Sequence, residues 1–75
     1  MALASPLSPT AWLDDMFASK AAIRGQVIRR KVRDIEKFVG RRAFERELKR
    51  RGFQAVENAG QVIIFCNREP IRRIV

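Results

Sequence analysis

Seventy-five residues suffice for one small domain, and sixteen Lys+Arg against eight Asp+Glu leave a net charge of +8 with no histidine and one cysteine. A chain this short buries only about 60% of its unfolded surface, so its core is thin. Lone Cys66 excludes an internal disulfide, the lack of histidine removes imidazole acid–base chemistry, and no His/Cys cluster exists for zinc or iron–sulfur binding. No catalytic residue, metal or cofactor is therefore expected. The longest unbroken apolar run, Val62 to Cys66, falls far short of the roughly 20 residues that a bilayer span needs.

Residues 1–8 read as a flexible leader. Met1–Leu7 is small and apolar and lacks the basic start of a signal peptide. Ser8-Pro9 then signals a helix. The serine hydroxyl can cap, and proline fits the first helical position, where no N–H is needed. Leu13, Met16, Phe17 and Ala21 recur at helical spacing beside Trp12, and Gly25 is a stop. The expected first helix is about residues 9–23. Gln26–Arg33 reads as a strand, with β-branched Val27, Ile28 and Val32 and a basic face carrying Arg29 and Arg33.

Asp34 is expected to cap a second helix, in which Ile35, Phe38 and Val39 form one apolar stripe. Past Gly40 the apolar pair is Phe44 and Leu48. At about 100° per residue, one straight helix would aim the two sets at nearly opposite sides. Two helices with a turn at Gly40 bring both onto one core. The second of these runs from about Arg41 to Arg51. It ends on the basic turn Lys49-Arg50-Arg51, favourable at the negative helix end, and on Gly52. Phe53–Glu57 and Gln61–Cys66 read as strands of a hairpin around Asn58-Ala59-Gly60. Residues 67–75 form a tail with Pro70 and apolar Ile71, Ile74 and Val75.

The positive charge is concentrated. Residues 20–51 carry thirteen Lys/Arg against Asp34, Glu36, Glu45 and Glu47, whereas residues 1–19 carry Asp14 and Asp15 and no base. Counterion release from a polyanion rewards such a segment, and a basic cluster with a pI near 11.3 is the usual footprint of nucleic-acid binding. The competing explanation is a solvated basic surface.

The order helix, strand, helix, turn, helix, hairpin over residues 9–66 resembles the winged helix-turn-helix family. Val32–Gly40 looks like the motif's first helix and turn, and Ala43–Phe53 like a recognition helix running into the first wing strand. The resemblance implies an α+β fold of three helices, with the strand after the first helix pairing to the hairpin. It also implies binding of double-stranded DNA, as in a small bacterial or phage transcriptional regulator or accessory factor. Arg41, just after the glycine, and a short wing with no basic tip residue depart from the family pattern.

On the recognition helix, Arg42 and Arg46 are the expected base readers, since arginine can bond guanine O6 and N7 in the major groove. Glu45 would accept from cytosine N4, or hold Arg42 or Lys49. Lys49, Arg50, Arg41, Arg29, Arg30 and Lys31 are expected phosphate anchors. Trp12 and Phe17 fit core positions better than base-stacking platforms, and Cys66 fits a buried apolar one. One recognition helix reads a short site, so a homodimer or partner protein is expected, with half-sites roughly 34–36 Å apart. The apolar tail or the Trp12 face would supply that contact. A cytoplasmic, nucleoid-associated location follows.

A weaker resemblance is to HicA-type small RNA-targeting domains, related to double-stranded-RNA-binding folds, through the helix, Gly52-Phe53, strand, Gly60, strand succession. Their histidine is missing here, which leaves an RNA-binding module as one alternative. A basic protein-interaction adaptor is another. The whole chain also resembles short bacterial open reading frames, which implies a bacterial setting.

Overall fold

The computed structural model describes residues 8–75. The expected leader lies outside them except for Ser8. The described chain is an α+β fold with four helices and a three-stranded antiparallel sheet, compatible with a small winged-helix-like domain.

The expected 9–23 helix is two helices, α1 (Pro9–Phe17) and α2 (Lys20–Ile23). Ser8 caps α1, its hydroxyl accepting from Ala11 N–H at 3.1 Å. Ser19 does the same for α2, accepting from Ala22 N–H at 3.3 Å. That second serine explains the break, because a serine hydroxyl competes for the backbone and favours a new start over a helix interior. Strand β1 (Val27–Lys31) is shorter than expected, and helix α3 (Val32–Phe38) begins at once behind it. Asp34 is not its cap. Lys31 holds that place without a side-chain bond, and Asp34 sits in the first turn, where a negative charge still complements the helix dipole. Arg33 accordingly leaves the expected strand for the helix.

Gly40 separates α3 from helix α4 (Arg41–Arg51) with φ +94° and ψ 142°. Its N–H bonds the Ile35 carbonyl at 2.8 Å, and its carbonyl accepts from Phe44 N–H at 3.1 Å. One residue thus closes α3 and opens α4. The helix α4 ends in a Schellman turn. Phe53 N–H reaches the Leu48 carbonyl at 2.9 Å, and Gly52 N–H reaches Lys49 at 3.1 Å. Gly52 is left-handed at φ +74°, and a Cβ there would run into the Arg68 guanidinium.

Strands β2 (Gln54–Asn58) and β3 (Gln61–Phe65) form the hairpin, and β1 pairs with β3, giving the order β1-β3-β2. The turn is the two residues Ala59-Gly60, both at positive φ, a type I′ connection that matches strand twist. Register sets Ile28 and Ala55 either side of Ile64, on the sheet face that meets the helices.

The core joins Leu13, Met16 and Phe17 of α1 to Ile35, Phe44 and Leu48 of the helix pair and to Val62 and Ile64 of β3. Ile64 is completely buried and Ile35 nearly so. Trp12 stacks on Phe38 with centroids 5.8 Å apart, and Phe17 meets Phe53 edge-on at 5.4 Å. These are packing roles for both expected core aromatics. Cys66 is buried too, and burial pushes its thiol pKa up, which leaves it an apolar filler.

The tail has no helix or strand. Asn67 anchors its start by donating to the Gly25 carbonyl at 2.9 Å, and Gln54 donates to the Asn67 and Glu69 carbonyls. Beyond that, Ile74 and Val75 lie open to solvent. No helix among the described residues is long and apolar enough to cross a membrane.

Candidate nucleic-acid interface

Helix α4 divides cleanly. Phe44 and Leu48 are buried, Ala43, Glu47 and Arg51 are half-buried, and positions 42, 45, 46, 49 and 50 are exposed. Arg42, Arg46 and Lys49 follow one another at i, i+4, i+7. They form a stripe about 10 Å long at 1.5 Å per residue. None of the three takes part in an ion pair among the described residues. The change of apolar phase about Gly40 is what frees this stripe, because Phe44 and Leu48, the buried residues of α4, lie on the opposite side of the helix.

The other cations expected at the site fare differently. Arg41 is exposed but held by two carboxylates, Glu45 Oε2 at 3.1 Å and Glu57 Oε1 at 2.7 Å. Both raise its pKa, the Glu45 hydrogen bond foremost. Glu45 therefore partners Arg41 in place of Arg42 or Lys49. Arg50 makes a forked contact to Glu47 at 3.0 and 2.6 Å. Arg51 bonds the same glutamate at 2.6 Å, reaches Asp14 of α1 at 3.4 Å and lies 4.5 Å above the Phe17 ring. The Arg50 hydrogen bond, joined by Arg51, pulls the Glu47 pKa down to about 2. Arg50 and Arg51 thus belong to a network that fastens the end of α4 to α1.

The three cations of β1 do not share a face, because side chains alternate along a strand. Arg29 and Lys31 lie exposed on the outer sheet face with Val27. Arg30 points the other way, half-buried, and its guanidinium returns to the Arg29 carbonyl at 2.8 Å. Lys31 stands opposite Gln61, and Val32 N–H bonds the Gly60 carbonyl at 2.9 Å. The end of β1 and the start of α3 are thereby stitched to the hairpin turn. Arg33, one residue further, is exposed in the first turn of α3, and Lys37 follows it one turn on, its ammonium 5.4 Å from the Phe38 ring centroid. Both are exposed cations that sequence reasoning left out of the candidate set. The signal was present, since the Ile35, Phe38 and Val39 stripe leaves 33, 36 and 37 outside, but placing Arg33 in a strand hid it.

Between α3, α4 and β2 runs an open groove of about 240 Å³. Phe53, Ala55 and Val62 contribute to its apolar floor, and Glu36, Lys49 and the Arg41 cluster stand around it.

No protein family, curated protein or solved structure matches this chain.

Proposed function

We propose that this chain is a winged helix-turn-helix module that binds double-stranded DNA, with α4 inserted in the major groove. The observation that carries the reading is the exposed stripe Arg42–Arg46–Lys49, without an ion-pair partner among the described residues, on a helix whose opposite face is fixed by Phe44 and Leu48. An α-helix fits the major groove, and arginines one turn apart can address neighbouring base pairs. Lys31 and Arg33, beside the hairpin turn, add phosphate contacts. They sit where the turn is tied to α3, so both are held by the backbone and do not depend on a loop.

The break at Gly40 favours this reading over the RNA-binding one. A single long helix laid on a sheet would fit the double-stranded-RNA-binding type, whereas here two helices flank a turn between β1 and β2. The module then acts as a small transcriptional regulator or accessory factor, associated with the nucleoid.

The test is fluorescence anisotropy with labelled duplex DNA, duplex RNA and single strands over a salt series. Duplex DNA is expected to bind tightest. Arg42→Ala/Arg46→Ala is expected to cost at least about tenfold in affinity for the preferred duplex, on the scale of one good base contact. Equal binding of the double variant and the wild-type chain removes α4 as the reader, and preference for duplex RNA overturns the DNA reading.

A further inference from the structure

Arg41 was expected to anchor a phosphate, and the geometry gives it other work. It leaves the first turn of α4 and grips Glu45 on its own helix and Glu57 on β2, at 3.1 and 2.7 Å. Glu57 lies one residue before the end of β2, opposite Val62 and close to the hairpin turn. On its β1 side the hairpin is held at that end by the β1–β3 pairing down to Lys31 and Gln61 and by Val32 N–H to the Gly60 carbonyl. The β2 side faces the open groove, with exposed Val56, Glu57 and Asn58. Among the described residues, the Arg41–Glu57 pair is the ion pair that crosses this groove from helix to hairpin.

We propose that Arg41 is a positioning residue that fixes the hairpin against the recognition helix and leaves phosphate contacts to Lys49, Lys31 and Arg33. The proposal rests on the DNA-binding reading of α4. Its physical basis is the guanidinium fork. A planar group with several donors can hold two carboxylates at once, whereas a cation committed to phosphate would be free of such partners. Glu45 is held by the same grip, which orients the one carboxylate on the groove-reading face.

Three measurements decide it, all on the full chain. The first is the salt dependence of duplex binding by Arg41→Gln. Affinity is expected to fall about two- to fivefold, the scale of an exposed ion pair, with the slope of log affinity against log salt unchanged. A slope shallower by about 0.9 makes Arg41 a phosphate ligand and overturns the proposal, as does an unaltered affinity. The second is Glu57→Gln. Removing an acidic group near a polyanion should strengthen binding if only charge matters; the bridge predicts weaker binding, and tighter binding overturns it. The third needs no DNA. Amide hydrogen exchange of residues 57–61 is expected to quicken in both variants while the melting temperature falls by no more than a few degrees, and unchanged exchange in both overturns the bridge. If the wild-type chain binds no duplex at all, the DNA reading fails by itself, and the exchange measurement still decides whether Arg41 holds the hairpin.

Discussion

Replacing Gly40 by alanine tests the feature on which the helix pair depends, and the two competing structures predict opposite signs. At φ +94° and ψ 142° the residue occupies backbone space that is essentially reserved for glycine. A Cβ built there meets nothing within 4 Å, so the penalty is backbone strain alone, with no packing clash to confuse it. Strain of this kind costs about 1–3 kcal/mol. The whole stability of a 75-residue domain is roughly 4–11 kcal/mol. A loss of about 2 kcal/mol corresponds to a fall in melting temperature of about 8–16 °C. Urea titration followed by far-ultraviolet circular dichroism measures it, and the m-value should stay constant if the variant still folds to the same extent. Were α3 and α4 one continuous helix, alanine would be the better helix former by about 1 kcal/mol, and the melting temperature would rise. A rise, or a change below about 0.3 kcal/mol, refutes the turn and with it the reason that Arg42, Arg46 and Lys49 face outward.

Three further outcomes follow from the same geometry. Ala59 holds φ +52° beside Gly60, so Ala59→Asn, which supplies the Asn-Gly pair favoured by type I′ turns, should raise the melting temperature by several degrees; a fall refutes the turn type. Ile64 is completely buried, so Ile64→Ala should lose about 2–5 kcal/mol in the same urea assay and Ile64→Val only about 0.5–1.5. Glu47 has its pKa lowered from 4.5 to about 2 by Arg50 and Arg51. Its folded-state pKa lies below the unfolded one, so its contribution is complete above about pH 4.5 and drains away as pH falls towards 2. Glu47→Gln should therefore flatten the stability profile in that window, and an identical acid profile in the variant removes the network.

Element order was legible because it rests on strong local signals. The change of apolar phase at Gly40, the Gly52 stop after a basic turn, and the short apolar run Val62–Cys66 behind the Gly60 turn each follow from one pattern and one breaker. The errors fall where two local rules competed. Ser19 reads as a polar residue on a continuing amphipathic helix or as a cap, and periodicity alone favours the first. At Val32-Arg33-Asp34 a β-branched residue and an acidic one pointed to a later helix start. Tertiary pairing decided otherwise, since Val32 N–H goes to Gly60, a residue 28 positions away that no local window contains.

The arginines make the same point at the level of the site. Composition treats the cations of residues 20–51 as one field, yet the fold sorts them by what comes near. Arg41 meets Glu57 only because β2 folds back past the start of α4, and Arg51 meets Asp14 only because α1 crosses its end. Neither neighbour could be read from i,i+4 spacing, which had paired Glu45 with Lys49. Arg42, Arg46 and Lys49 escape because Phe44 and Leu48 turn the opposite side of the helix into the core, leaving these three exposed. A charge count therefore bounds how strongly this surface attracts a polyanion at long range. The cations left unpaired after folding determine where a polyanion could be gripped, and on α4 that selection is made by two buried apolar residues and one glycine.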